Sequence, residues 1–228
     1  MIGATQKMAQ TAPEQLDQLL IGIVHDARSL LRKSLISSEL ISRTGTPLEP
    51  GTQKLLDSII AANRDLEKFL GRISDYANAR HPSPARPVPL TAVVEAALAT
   101  FREHGAVIEP GVVPAVKVSP SLQRAISELL DNALKFHGAK EPTARVECSV
   151  QGNECTIEIR DGGIGIDPQY LDTVLEPLVR LQSRDEYPGF GMGLAISRRI
   201  VESLGGRLSL ESEPSNGSVA RLTLPCKE

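Results

Sequence analysis

The stretch GFGMGLAISRRIVESLGG, Gly189 to Gly206, decides how this chain is read. Gly189, Gly191 and Gly193 stand on alternate positions and run directly into a helical pattern. Its apolar residues Leu194, Ile196, Ile200, Val201 and Leu204 fall largely on one face. Glycine lets backbone approach a ligand closely and take positive φ, and a helix start offers unpaired N–H donors at its positive end. Such a segment suits phosphate. Alternate glycines before a helix also occur as an ordinary loop, so the stretches upstream have to decide between the two.

The chain has 228 residues, 41% apolar and 23% charged, enough for one large core or two small ones. Its net charge is −3, with the signs intermixed and no long Lys/Arg block, which argues against a nucleic-acid partner. The apolar run Leu19 to Val24 is too short to span a bilayer, and the first residues lack the pattern of a secretion signal. No membrane span and a cytoplasmic location are expected. The three cysteines, Cys148, Cys155 and Cys226, show no metal-type spacing and suit a reducing compartment. ARVECSV and ECTIEIR alternate apolar and polar residues around Gly152-Asn153, a hairpin with Val146, Cys148 and Val150 on the face of Cys155, Ile157 and Ile159. The first two cysteines are therefore expected as core thiols.

Residues 1–12 read as a leader, and Pro13 suits the first turn of a long helix. Leu16, Leu20, Ile23, Ala27, Leu30, Ser34, Ser37 and Ile41 follow spacings of four and three, the seam of a bundle, widened by Leu19, Val24, Leu31 and Leu35. RTGTPLEPG, Arg43 to Gly51, reads as a loop. A second helix repeats the pattern with Leu55 or Leu56, Ile59, Asn63, Leu66, Leu70, Ile73 and Ala77. A hairpin over 13–80 cannot bury such wide stripes alone, so a two-fold dimer forming a four-helix bundle is expected. HPSPARPVP then reads as a stiff proline-rich linker, residues 81–88, ahead of a second domain over 89–228.

In the first helix His25 stands one residue off the seam, with Asp26 next to it and Ser29 one turn later on the same face. A carboxylate that accepts an imidazole proton leaves the other ring nitrogen free to attack a phosphoryl group. A lone helical histidine is also a common structural residue. After the linker LTAVVEAALATFREHG reads as a helix ending at Gly105, AVIEP and AVKVS as short strands, and SLQRAISELLDNALKFHG as a helix capped from Ser119 and Pro120. That helix buries Leu122, Ile126, Leu129, Leu130 and Ala133 and sets Glu128 and Asn132 on another face, with Lys135 three residues on. Hard oxygen donors on one face suit Mg²⁺ and the lysine suits phosphate, although a solvated face with an incidental salt bridge gives the same pattern. Asp161 ends the strand before Gly162, Gly163 and Gly165, where it can accept from the amino group of a flat heterocycle. An ordinary strand-to-helix turn, with Asp167-Pro168 opening a short helix, accounts for the same residues. Tyr170 to Pro188 has the weak periodicity of a lid, and the chain closes with a second hairpin turning near Asn216-Gly217.

The order of HDARSLLR, ELLDNALKF, DGGIGID, LEPLVRLQSRDEYPG and GFGMGLAISRRIVESLGG resembles the H, N, G1, F and G2 boxes of sensor histidine kinases. RLQSRDEYPGFGMGLAISRRIVE is especially similar to bacteriophytochrome-like kinase modules. The resemblance runs from about Gln15 to Pro225 and implies an α+β chain: a HisKA-type helical hairpin, then a GHKL (Bergerat) α/β sandwich that binds ATP with Mg²⁺. Carried over, His25 is the phosphoacceptor, Asp26 its acid/base partner and Ser29 a further catalytic-site residue. Asn132 and Glu128 hold Mg²⁺, Glu128 counting also among the catalytic residues, and Lys135 meets the phosphates. Asp161 takes the adenine amino group between Gly163 and Gly165, Gly189, Gly191 and Gly193 close on the phosphates, and Phe136 and Leu194 complete the nucleotide site. The implied activity is histidine autophosphorylation, and the implied partners are a second copy of the chain and a response-regulator receiver whose Asp takes the phosphoryl group.

This sequence departs from the family pattern at four places. Leu30 and Leu31 stand where a proline is common, so the helix should lack a kink, and Ser29 replaces the usual Thr, Asn or Glu. Leu178 replaces a Phe in the F box, and Phe190 replaces a small or polar residue between the glycines. A non-catalytic phosphotransfer or scaffold protein on this fold is the alternative, and a serine kinase of the anti-sigma type would leave the histidine hairpin unexplained. No sensor domain precedes the hairpin, so the input is expected from a separate sensor protein or a missing sensor domain.

Overall fold

The computed structural model describes residues 12–43, 48–81, 86–102 and 107–226. The expected leader apart from Ala12, the helix end at Gly105 and the middle of the linker lie outside them. The chain divides into two compact units, Met1–Asn78 and Ala79–Glu228.

The first unit is a pair of helices, α1 (Ala12–Arg43) and α2 (Pro50–Asn78). Pro50 and Gly51, expected in the loop, belong to α2, because proline's fixed φ and missing N–H suit the first helical position. Val24 and Leu31 of α1 pack with Leu70 of α2, joined by Ala27 and Ile73. Buried positions recur every seven residues on α1, at Asp17, Val24, Leu31 and Ser38. On α2 Leu56 is buried and Leu55 exposed. Asn63 Nδ2 donates to Ser34 Oγ at 3.1 Å, so a polar contact sits within the helix pair. On α1 the expected seam is displaced by one residue at Leu16, Ile23, Leu30 and Ser37, whose places are taken by Asp17, Val24, Leu31 and Ser38, while Ala27 and, on α2, Leu56, Leu70, Ile73 and Ala77 pack where the pattern puts them. Leu16, Ile23, Leu30 and Ile41, assigned to the seam, are exposed in the single chain, Leu30 by 69%.

The second unit's first strand is β1 (Val88–Pro89), which pairs antiparallel with β3 (Lys117–Val118), so Val88 opens a strand instead of closing the linker. A mixed sheet is ordered β2 (Val107–Pro110), β4 (Thr143–Gln151), β5 (Glu154–Asp161), β7 (Ser218–Pro225), β6 (Arg207–Ser212). β2 runs parallel to β4 and the other pairs are antiparallel. Three helices, α3 (Leu90–Arg102), α4 (Leu122–Lys135) and α5 (Gly193–Ser203), pack on this sheet with α4 in the middle. Ile126 and Leu130 of α4, Ile157 of β5, Ile196 of α5 and Leu222 of β7 are fully buried.

The β4–β5 hairpin has the expected register, Val146 opposite Ile159, Cys148 opposite Ile157 and Val150 opposite Cys155. Cys155 is a buried core thiol as expected, while Cys148 is half-buried; burial pushes the Cys148 thiol up to about 12 and that of Cys155 up to about 11. The other face carries charge, with Arg221 donating to Glu158 at 2.7 Å and to Glu211 at 2.6 Å. Hydrophobic-in, charged-out alternation is what a one-sided sheet requires. The cap of α4 is Ser121 and it makes no side-chain cap bond; Ser119 Oγ instead accepts from Ser121 N at 3.3 Å. Among the described residues no helix is long and apolar enough to cross a membrane.

Because Leu130 is fully buried at the centre of the helical layer, Leu130→Ala is expected to cost about 3 kcal/mol. Urea unfolding of the variant against the parent chain measures this; a loss under about 1 kcal/mol would mean that α4 is not central to the core.

Candidate functional site

Helix α4 carries the site on the face turned away from its core stripe. Glu128 and Asn132, one turn apart, lie against the start of α5, where a Cβ built on Gly193 would be 3.2 Å from Asn132 Nδ2 and from Glu128 Oε2. Ser197 Oγ fixes that approach by donating to Ala125 O at 3.1 Å and to Gly193 O at 3.0 Å. Lys135 lies under the end of the lid, its Nζ 2.8 Å from where a Cβ of Gly189 would stand and 4.7 Å from the centre of the Phe136 ring. The carbonyl of Phe136 accepts from Ile164 N at 2.9 Å, and a Cβ on Gly163 would come within 2.3 Å of it. Three glycines from two segments, Gly189 and Gly193 from one and Gly163 from the other, thus dock along α4 and the Phe136 residue that caps it. At Gly163 the neighbour is backbone, which a Cβ could not displace; at Gly189 and Gly193 it is the end of a side chain.

Asp161 sits at the end of β5, and its Oδ1 accepts from Gly163 N at 2.8 Å and from Ser218 N at 3.2 Å. Among the described residues its Oδ2 has no hydrogen-bond partner. Burial raises the carboxyl above its ordinary range, opposed by the two N–H bonds and by the positive charge of Lys140. A groove of about 540 Å³ opens here, bordered by Asp161, Leu171, Leu210, Ser212, Gly217 and Ser218. Gly165, at φ +69°, would place a Cβ 1.9 Å from Glu213 O, and Gly217, at φ +79°, one 2.0 Å from Asp161 O. The loop after β5 and the β6–β7 turn therefore interlock backbone against backbone. The sequence marks Gly217 only as a turn residue and does not single out Ser218; the hold of the Ser218 N–H on Asp161 leaves no local signal.

The segment from Tyr170 to Pro188 has little regular structure, and Arg180 holds its second half together. Its guanidinium donates to the carbonyls of Gln182, Ser183, Tyr187 and Gly189. Tyr187 is buried with its ring 4.9 Å from that of Phe136. Leu178 takes φ +67° and donates from its N–H to Gly191 O at 2.9 Å, its side chain 55% exposed. Phe190 has the Arg184 guanidinium over its ring at 4.6 Å. Leu194 is half-buried at the second position of α5, whose N-cap Met192 makes no side-chain cap bond.

His25, Asp26 and Ser29 lie on the first unit. The His25 side chain is 84% exposed, with Nδ1 3.2 Å from Asp26 Oδ1, and Ser29 is exposed on the next turn. An imidazole whose Nδ1–H is held by a carboxylate presents Nε2 with its lone pair outward.

Residues 117–228 match the model of the family described as Histidine kinase-, DNA gyrase B-, and HSP90-like ATPase. This segment belongs to that family. Phytochrome-like protein Cph1 of Synechocystis is 39% identical over 58% of the chain and 18% of its own length. The sensor histidine kinase RcsC of Salmonella typhimurium is 28% identical over 96% of the chain and 25% of its own length. The structure of full-length ShkA in complex with AMPPNP superposes with TM-score 0.70 over 95% of this chain and 46% of that one, at 20% identity, a likeness of fold. These likenesses place the chain among sensor histidine kinase catalytic modules, of which it spans about a quarter or less of the two curated relatives' lengths.

Within the ATPase segment, Glu128 and Asn132 offer hard oxygen donors against the start of α5, where a Cβ on Gly193 would be 3.2 Å from Glu128 Oε2 and 3.6 Å from Asn132 Oδ1. No group of three or more His, Cys, Asp or Glu among the described residues could cage a metal ion. Two donors suit Mg²⁺ that keeps most of its other ligands from water and phosphate.

The raised carboxyl of Asp161 makes a testable pH signature. The folded chain holds that proton to higher pH than the unfolded chain, so the contribution favours folding at low pH and is lost as pH rises through the raised value. Asp161→Asn keeps an acceptor for both N–H groups and removes the charge. Its Tm relative to the parent should rise as pH climbs from about 3 to about 8; a difference that stays constant with pH would contradict the assignment.

Proposed function

We propose that the chain is the catalytic and phosphoacceptor part of a dimeric, ATP-dependent protein histidine kinase that passes phosphoryl from His25 to an aspartate on a response-regulator receiver. The observation that carries this reading is the docking of Gly193 on Glu128 and Asn132, of Gly189 on Lys135 and of Gly163 on the Phe136 carbonyl, beside an Asp161 whose Oδ2 is free to accept. In this reading Asp161 Oδ2 accepts from the exocyclic amino group of adenine, and Gly163 and Gly165 leave the ring its space. Phe136 and Leu194 supply apolar contact. Lys135 and the uncapped N–H groups at the start of α5 meet the phosphates next to Gly189, Gly191 and Gly193.

Glu128 and Asn132 hold Mg²⁺, which when bound neutralises charge on the triphosphate. Asp26 accepts the Nδ1 proton of His25. Nε2 of His25 then forms a bond to the γ-phosphorus while the bond from that phosphorus to the β,γ-bridging oxygen breaks and ADP departs. Transfer to the receiver breaks the N–P bond and forms an acyl phosphate. Ser29 is placed to orient a water near the phosphohistidine. The exposed apolar residues Leu16, Ile23 and Leu30 of α1 and Leu55, Ile59 and Leu66 of α2 support a second copy of the chain as the partner that covers them.

Incubation with γ-labelled ATP and Mg²⁺ tests the reading. Acid-labile, alkali-stable label is expected on the parent chain and none on His25→Ala, which should still bind ATP. Asp161→Asn should weaken ATP binding by on the order of tenfold or more. Acid-stable label, or undiminished label on His25→Ala, would refute it.

A further inference from the structure

Three loops meet at Asp161: the turn His137–Lys140 after α4, the loop Asp161–Gly165, and the turn Glu213–Ser218 between β6 and β7. The first is closed by Lys140 N donating to His137 O at 3.3 Å and by His137 Nδ1 donating to Lys140 O at 2.5 Å. It abuts the second at Gly138, where φ is +66° and a Cβ would lie 2.9 Å from Ile164 Cγ2. From this turn the Lys140 side chain reaches both other loops, its Nζ donating to Gly162 O at 2.7 Å and to Ser215 O at 3.0 Å. The two carbonyls come from positions 53 residues apart by number, and one ammonium satisfies both.

Ser215 explains why the tie matters. It is a non-glycine residue at φ +66°, a region that L residues disfavour, and it is held there from both sides. Its N–H donates to Ile164 O at 2.7 Å, and its carbonyl accepts from Lys140. The same two loops each contribute one of the N–H groups that hold Asp161 Oδ1, Gly163 from one and Ser218 from the other. Whatever sets the spacing of those loops sets the direction of Oδ2.

We propose that Lys140 is a positioning residue for base recognition: it clamps the Gly162 and Ser215 carbonyls so that Asp161 Oδ2 is aimed at the amino group of a bound purine, without itself touching the nucleotide. This rests on the reading of Asp161 as the adenine acceptor. A second effect acts in the same direction, since the ammonium favours the ionised carboxylate over the neutral acid that burial favours.

The test is calorimetric titration of the full chain with ATP and with inosine triphosphate, whose ring carries oxygen in place of the amino group. The parent should prefer ATP. Lys140→Met should lose ATP affinity on the order of tenfold while binding of the inosine nucleotide changes little, so that the preference collapses. In autophosphorylation KM for ATP should rise with kcat at saturation unchanged, and Lys140→Arg should restore most of the preference. Ser215→Gly, which takes positive φ without strain, should recover part of it in the Lys140→Met background. If Lys140→Met does not fold, Lys140→Gln serves, with an intermediate preference expected. An unchanged ATP preference in either variant, with or without a lowered Tm, overturns the inference and leaves Lys140 a structural tie. A parent chain that binds neither nucleotide overturns the nucleotide-site reading, and this inference falls with it.

Discussion

Everything in the second unit depends on α4 having two faces that are both used. Its apolar stripe, with Ile126 and Leu130 fully buried, fixes it against the sheet and between the other two helices, so its position is set by the largest favourable term available to folding. The opposite face is then held rigidly enough to act as a template. Glu128 and Asn132 receive Gly193, Lys135 receives Gly189, and the Phe136 carbonyl receives Gly163. Side chains for binding are thereby positioned by a core they do not belong to, which is how precision is obtained without strain in the site itself.

The glycines carry the complementary half of that constraint. At Gly163, Gly165 and Gly217 a Cβ would lie within 2.3 Å of a backbone atom, far inside van der Waals contact, so these positions are closed to other residues whatever the ligand. The loops interlock and present their N–H groups inward to Asp161 Oδ1. That arrangement conflicts with burial, which resists the charged form of the same carboxylate.

Much of this was legible in the sequence, for reasons that differ from element to element. The β4–β5 hairpin could be read down to its register because the alternation of Val146, Cys148, Val150 and Cys155, Ile157, Ile159 leaves one face to bury. The two faces of α4 followed from the 3.6-residue period. The helical hairpin was legible as an element pair but not as an interface: α1 carries two adjacent apolar stripes, and only the position of α2 decides that Val24 and Leu31 pack while Ile23 and Leu30 stay out. Ser218, Lys140 and Arg180 were missed for another reason. They act through backbone N–H or carbonyl groups, those of distant segments for Ser218 and Lys140 and those of the same loop for Arg180, and a backbone group has no residue identity to read.

The departures at Leu178 and Phe190 can be weighed on the same ground. Leu178 bends into positive φ and gives its N–H to Gly191 O, while Phe190 lies beneath the Arg184 guanidinium. Gly191 between them must be glycine, since a Cβ there would be 2.4 Å from Val179 O. The lid therefore folds onto its own glycines by main-chain contacts that do not depend on the side chains at 178 and 190. An aromatic ring between the glycines also provides a surface on which a cation can stack next to the segment that faces Lys135. The substitutions alter how the lid covers the site while leaving the docking of Gly189 and Gly193 on α4 intact. Any change they make to function should come through lid closure rather than through loss of the polar face of α4.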